Sequence, residues 1–184
     1  NTTWSQQAYI KPSNAQQTST FFTYFGFTIS LDNNTLAVGA QQDYSNHTTI
    51  TYSSSYASTD TSAAVSGAVF VYSRSGTDWS QQAYIKASNN DHQDNFGRWV
   101  ALSGDTLVTA AHTEDSTQEV ITEESSNNNG RQDSGAVYVY TRSGTTWSQQ
   151  AYIKAINSDV NDNFGYFVDI DNDTIVVSSF DDSN

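Results

Sequence analysis

The chain of 184 residues has no cysteine and no methionine, and it has only one proline. The absence of cysteine excludes a disulfide framework, a thiol nucleophile and a thiolate metal site. No apolar run approaches the roughly 18 residues that a membrane-spanning helix needs. We therefore expect no membrane insertion.

Positive charge is also scarce in this chain. Seven Lys and Arg stand against 20 Asp and Glu, which gives a net charge of −13 at pH 7. Nucleic acids and anionic membranes would repel such a chain, so neither is expected as a partner. Ser, Thr, Asn and Gln dominate the polar positions. This composition favours an extracellular or cell-surface location.

One segment of eight residues, WSQQAYIK, occurs three times almost evenly spaced along the chain. Its copies are Trp4–Lys11, Trp79–Lys86 and Trp147–Lys154, and a Phe-Gly pair follows each copy, at Phe25-Gly26, Phe96-Gly97 and Phe164-Gly165. A tandem repeat of this size cannot bury its own apolar faces and must stack on its neighbours. The sequence therefore predicts a repeat protein.

Each repeat contains four predicted strands, which we call A, B, C and D. In the middle repeat, strand A alternates apolar residues from Phe96 to Leu102, and a Gly104-Asp105 turn leads into strand B at Thr106–Ala111. Such a pattern is typical of a β-hairpin. Strand C begins at Gly135, and WSQQAYIK is strand D. Strands A are predicted near residues 25–31, 96–102 and 164–170. No segment has helical periodicity, so we predict an all-β protein of four-stranded antiparallel blades.

The order of these motifs resembles a known family. Phe-Gly-x-x-Val, an apolar strand ending in Gly-Ala, and the strand Gly-Ala-Val-Tyr-Val-Tyr are similar to the FG-GAP repeat of integrin α-subunit propellers and of many secreted bacterial repeat proteins. Here Phe25-Gly26 leads to Gly39-Ala40, and Gly135–Tyr140 carries the last motif. The resemblance implies β-propeller-type blades in an extracellular adhesion or structural setting.

The strand count predicts one repeat domain, residues 1–184, with a split blade at its ends. Residues 1–11 are predicted to form strand D of a split blade, 22–87 the first full blade, 95–155 the second full blade, and 164–184 strands A and B of a third, split blade. Family propellers close with about seven blades, and about three repeats cannot form that ring. Either the chain is part of something longer, or its open edges pair with other chains.

Two pairs of aspartates are candidates for a metal site. Asp91 and Asp94, and Asp159 and Asp162, lie just before the Phe-Gly of two repeats. Oxygen ligands clustered in a loop suit Ca²⁺, although solvated turn residues are the alternative. The resemblance implies a long acidic A to B loop in calcium-binding repeats, and here that loop is a short turn. We therefore expect no required cofactor, with calcium as the candidate ligand.

Four Asn-x-Ser/Thr sequons lie in predicted turns or loops, at Asn1, Asn33, Asn46 and Asn172. They are candidate N-glycosylation sites in a compartment that installs glycans. The alternative is that asparagine is simply a good turn residue.

The lysines Lys11, Lys86 and Lys154 all end a strand D. Their repetition indicates a scaffold role, and we interpret them as charges that discourage unwanted strand pairing at an edge.

No pattern of catalytic residues is apparent. His47, His92 and His112 fall at different positions of the repeat, without a neighbouring serine or carboxylate arrangement that reads as a triad. We therefore assign no catalytic residue and predict that the protein is not an enzyme.

Near-identical repeats make near-identical interfaces. We therefore predict a non-enzymatic extracellular structural or adhesive glycoprotein that assembles head to tail through incomplete blades into a filament. Its partners would be neighbouring copies or further repeats, with glycans or surface proteins as additional ligands. The alternatives are a ligand-binding propeller fragment that recognises a protein or glycan, with or without calcium, and an accessory propeller of a secreted hydrolase.

Overall fold

The computed structural model describes residues 3–14, 22–52 and 60–181. Within these ranges the chain forms ten antiparallel strands. They are β1 (Ile29–Asp32), β2 (Thr35–Ala40), β3 (Ala68–Ser75), β4 (Asp78–Ile85), β5 (Trp99–Ser103), β6 (Thr106–Ala111), β7 (Ala136–Ser143), β8 (Thr146–Ile153), β9 (Phe167–Asp171) and β10 (Thr174–Ser178). Across these ranges no helix has the length and apolar character needed to cross a membrane.

The strands form three sheets in chain order. Strands β1 to β4 make the first blade, β5 to β8 the second blade, and β9 and β10 the two-stranded third blade. Every pair of neighbouring strands is antiparallel and consecutive in sequence. The predicted all-β fold of four-stranded antiparallel blades in tandem is confirmed, and no sheet closes on itself within the described residues.

The hairpin turns follow from residues that tolerate positive φ. The turn between strands A and B is centred on Asn33, Gly104 and Asn172, with φ of 51°, 58° and 55°. Asparagine and glycine adopt this left-handed backbone at little cost, as two-residue hairpins require. Strands C and D share a register shift at the same place in both full blades, after Val71 and after Val139.

Strands A were predicted to begin three or four residues too early. In the structure they begin at Ile29, Trp99 and Phe167, after the Phe-Gly pair. The pair forms a turn because its glycine has positive φ, 82° at Gly97. The Gly97 N–H donates to the carbonyl oxygen of Ala110 at 3.0 Å, which fixes the turn on strand B of the same blade. The Phe-Gly motif therefore precedes strand A.

The split blade differs from its prediction at the N-terminal end. Residues 3–11 form no strand. The reason is the absence of a strand C beside them in the described part of the chain, so their backbone groups have no ladder to join. At the other end, β9 and β10 lie within the predicted range 164–184, of which residues 182–184 are outside the described residues.

Two of the three hydrophobic cores of the described residues lie between blades, and the third lies on the outer face of the first blade. Val71 and Ile85 of the first blade pack with Phe96, Tyr138 and Trp147 of the second blade, and all are buried. We call this contact the first seam. At the second seam, residues of the second blade pack against the third blade; they include Val108, Val137, Val168 and Ile170. Because burial of apolar area is the main favourable term in folding, each blade depends on its neighbour.

We expect Gly97→Ala to destabilise the chain more than Gly104→Ala. Both glycines have positive φ, so alanine costs about 1–2 kcal/mol of backbone strain at either position. A Cβ on Gly97 would also lie 2.2 Å from the Ala68 carbonyl oxygen across the first seam, whereas nothing lies within 4 Å of one on Gly104. Urea unfolding should therefore show a loss larger by about 2 kcal/mol or more for Gly97→Ala. Equal losses would show that the seam is not closely packed there.

Candidate functional site

The lysine at the end of strand D is buried in both full blades. Lys86 Nζ donates to Ser66 Oγ at 2.8 Å and to the Gly67 carbonyl oxygen at 2.5 Å, and it lies 3.4 Å from Asp43 Oδ1. The predicted role as an edge-guarding surface charge is therefore wrong for Lys86. Burial lowers its pKa to about 8, and the charge of Asp43 opposes that shift. A buried charge of this kind needs a partner.

Lys154 repeats this arrangement in the second blade and is equally buried. Its Nζ donates to Glu114 Oε2 at 2.8 Å and to Ser134 Oγ at 2.7 Å. Burial lowers the pKa of Lys154, and the nearby Glu114 charge opposes the shift. The prediction of an edge-guarding charge is wrong here too.

The asparagine three residues after Lys86 joins the first blade to the second. Asn89 follows the first blade, and its Nδ2 donates to Oε1 of Glu114 in the second blade at 3.0 Å. Tyr138 of the second blade returns a hydrogen bond to Asn89 Oδ1 at 2.8 Å. The end of strand D therefore holds the following blade, and we call this the forward contact.

The start of strand D holds the preceding blade. Trp147 Nε1, at the start of β8, donates to Gln82 Oε1 of the first blade at 2.8 Å. Arg142, in the strand before it, donates to Thr35 Oγ1 of the first blade at 2.9 Å and stacks 5.1 Å above the Trp147 ring. We call this pair of interactions the backward contact. The first blade's strand D thus contacts the following blade through its end, and the second blade's strand D contacts the preceding blade through its start.

Strands A of consecutive blades are also joined, by backbone donors and short polar side chains. Three such bonds cross the two seams: Leu102 N–H to Ser30 Oγ at 3.0 Å, Gly104 N–H to Asp32 Oδ2 at 2.6 Å, and Asn172 N–H to Ser103 Oγ at 3.0 Å. The last residue of strand A in each of the first two blades, Asp32 and Ser103, therefore accepts a hydrogen bond from the next blade.

Residues 3–14 make the forward contact without the backward one. Ile10 packs on the outer face of the first blade, and Tyr72 of that blade donates from its hydroxyl to the Lys11 carbonyl oxygen at 3.2 Å. Asn14 Nδ2 donates to Asp43 Oδ2 at 2.9 Å, as Asn89 does to Glu114. Trp4, in contrast, is 93% exposed. This segment lies as the strand D of a preceding blade would lie.

The aspartates predicted as metal ligands close a loop. Asp94 Oδ2 accepts the N–H of Asp91 at 3.0 Å, and Asp162 Oδ2 accepts the N–H of Asp159 at 2.5 Å. Asp94 and Asp162 are buried, whereas Asp91 and Asp159 are exposed. Nowhere in the described ranges do three or more Asp, Glu or His side chains gather in a group that could hold a metal ion. Calcium binding at these four residues stays a prediction.

The sequons that the structure describes lie at the surface. Asn33, Asn46 and Asn172 are exposed, and Asn1 is outside the described residues. Asn33 and Asn172 each donate from Nδ2 to Oδ1 of the preceding aspartate at 2.9 Å. A glycan at any of the three could extend into solvent, and glycosylation stays a prediction.

Sequence reasoning missed the two acids that pair with the lysines, Asp43 and Glu114. Their shared place in the repeat could have identified them. Both acids stand four residues after the position of the glycine in the Gly-Ala motif, which is Gly39 in the first repeat and Ala110 in the second. The change from Asp to Glu and the unequal loops that follow hid the equivalence.

Comparison with known proteins identifies the repeat unit. A family model described as an FG-GAP repeat matches residues 79–140 and 147–184, and no curated protein matches the chain. Each matched region begins at the tryptophan of one strand D and continues into the next blade. Repeats of this family are of propeller type, are generally non-catalytic binding or structural units, and are typically found in extracellular or surface proteins.

We predict that Lys154→Met destabilises the chain by about 3–5 kcal/mol, because it leaves the Glu114 carboxylate buried without its cation. Lys11→Met is the matched control. Lys11 ends the same eight-residue segment but is exposed, so its loss should change stability by no more than about 0.5 kcal/mol. Urea denaturation of both variants measures the difference. Similar losses would contradict a structural role for the buried pair.

We also predict that stability falls as pH rises from about 4 to about 8. Burial, with the Glu114 charge as a second cause, raises the pKa of Asp94 to about 8. The folded chain therefore keeps a proton that the unfolded chain loses above about pH 4, and the free energy of unfolding drops by up to about 1.4 kcal/mol per pH unit. Asp94→Asn should remove this component from urea unfolding measured between pH 4.5 and 8. An unchanged slope would contradict the burial of a protonated Asp94.

Proposed function

Because the chain belongs to the FG-GAP repeat family, we propose that it is a non-enzymatic extracellular structural or adhesive protein that assembles head to tail into a filament. The observation that carries the proposal is that the two ends of the blade array expose complementary halves of one seam. Copies of the chain would join by repeating the seam that already joins their own blades.

The outer face of the third blade is one half. Val176 in β10 occupies the position of Val108 in the second blade, by the repeat offset. Val108 is 0% exposed because the third blade covers it, whereas Val176 is 65% exposed. Strand β10 has β9 as its only neighbour among the strands of the described residues. Its other edge can accept a further strand.

The outer face of the first blade is the other half. Ile29 in β1 occupies the position of Val100 in the second blade. Val100 is 4% exposed because it packs into the first seam, whereas Ile29 is 66% exposed. Leu31 is exposed in the same way, and its counterpart Leu102 is buried.

The two exposed faces differ from each other, so the contact between copies would be heterologous. A heterologous contact whose rotation does not close a ring propagates into an open chain of subunits. Assembly would bury apolar side chains, and each Å² of apolar area removed from water would stabilise the contact by about 25 cal/mol. The exposed asparagines Asn33, Asn46 and Asn172 would carry the glycans of the filament surface.

We predict that sedimentation velocity shows species that grow beyond the dimer as the concentration rises, and that Val176→Asp sediments as a monomer. An aspartate in this face would have to lose its hydration on assembly, and its charge would stay unpaired. Val120→Asp is the matched control, since Val120 is an exposed valine of the loop before β7. It should assemble like the parent chain. A parent chain that stays monomeric at every concentration would contradict the proposal.

A further inference from the structure

The exposed Trp4 stands at a position that is buried elsewhere in the chain. Its counterpart Trp147 is 1% exposed. What buries Trp147 is the first blade, through the hydrogen bond to Gln82 and through Tyr52, whose hydroxyl donates to the Trp147 carbonyl oxygen. Trp4 begins the same eight residues. It therefore has the chemistry for a backward contact and makes none with the residues that the structure describes.

A matching acceptor is present on the second blade. By the repeat offset, Gln150 stands where Gln82 stands in the first blade, and it is exposed. Ala83 and Ile85 of the first blade are fully buried, whereas their counterparts Ala151 and Ile153 are only partly buried. We call Ser148, Gln150, Ala151 and Ile153 the docking site. Its equivalent in the first blade is the surface that holds Trp147.

We infer that the docking site receives residues 4–11 of a second copy of this chain, with Trp4 Nε1 donating to Gln150 Oε1. The inference rests on the proposed head-to-tail assembly and names the contact that forms it. In the assembled state, β9 and β10 of one copy and residues 4–11 of the next would lie in the same shared blade.

A second copy fits the site better than the same chain does. The segment 3–14 is fixed on the outer face of the first blade by Ile10 and Asn14, and the docking site faces away from that blade toward the third. The forward and backward contacts lie at opposite ends of strand D, as the end of β4 and the start of β8 show. The segment can therefore keep its own forward contact while Trp4 binds another copy.

Charge also favours this occupant. Residues 4–10 contain no charged side chain, in a chain with a net charge of −13. An uncharged strand can approach an acidic neighbour without direct like-charge repulsion.

Site-directed cross-linking tests the contact, because a chain without cysteine reacts only at introduced thiols. Thr146 and Ser80 line one groove at the first seam, and by the repeat offset their counterparts are Thr3 and Ser148. Thr3→Cys in one copy and Ser148→Cys in another should give a covalent hetero-dimer with a short bismaleimide. Thr3→Cys with Ser80→Cys is the matched control and should give none, because Thr146 of the same chain already lies there.

Affinity measurements complete the test. Trp4→Ala and Gln150→Ala should each weaken self-association roughly tenfold or more, as expected when one partner of a buried anchor is removed. The double variant should self-associate about as weakly as either single variant, because the two substitutions remove the same contact. Val120→Ala, at an exposed site outside the docking site, should leave association unchanged.

Two failures are distinguishable. If the parent chain assembles but Trp4→Ala assembles equally well and the Thr3 and Ser148 pair does not cross-link, the docking site is wrong while head-to-tail assembly stands. If the parent chain does not assemble at any concentration, both are wrong.

Discussion

The structure depends on one constraint: a blade of this protein cannot bury both of its faces by itself. Two of its cores lie between sheets, so Val71 of the first blade and Phe96 of the second are buried because the two blades are in contact. The strands D help to meet this constraint from both sides of the first seam. Trp147, at the start of the second blade's strand D, binds the first blade, and Asn89, after the first blade's strand D, binds the second blade. Folding and association would therefore use the same surfaces.

The buried ion pairs give these surfaces their register. A buried pair is costly to desolvate and contributes little net stability compared with apolar side chains of the same size, but it penalises any arrangement that leaves one partner alone. Lys154 Nζ fits beside Glu114 only when strand D and the loop after strand B lie in one alignment. Asn89 from the preceding blade binds the same carboxylate, so a single acid fixes both the blade and its neighbour. The repeated lysines thus help to specify how strand D is aligned in each full blade.

The sequence was sufficient to predict strands and their order, because alternation, turn residues and the repeat are local signals. It misplaced the start of strand A because the Phe-Gly pair forms a turn, in which Gly97 has positive φ and its N–H bonds to Ala110 of strand B. It assigned Lys86 to a strand edge because nothing local shows that Asp43 lies beside it after a separation of 43 residues. The strand predicted at residues 1–11 requires a partner that the described residues do not supply. Tertiary contact, which no local pattern encodes, decides each of these cases.

Hydrogen exchange of the intact chain, followed by mass spectrometry over a range of protein concentrations, tests the central claim that the exposed ends are halves of a seam. The account predicts fast amide exchange in residues 4–11, and in the β10 amides that β9 does not bond, when the chain is dilute, and slow exchange in both at the same higher concentration. The amides of β7, which lies inside the second blade with a neighbour on either side, should exchange slowly throughout. Slow exchange at both ends in a dilute monomer would contradict the account, because the chain would then satisfy its own edges.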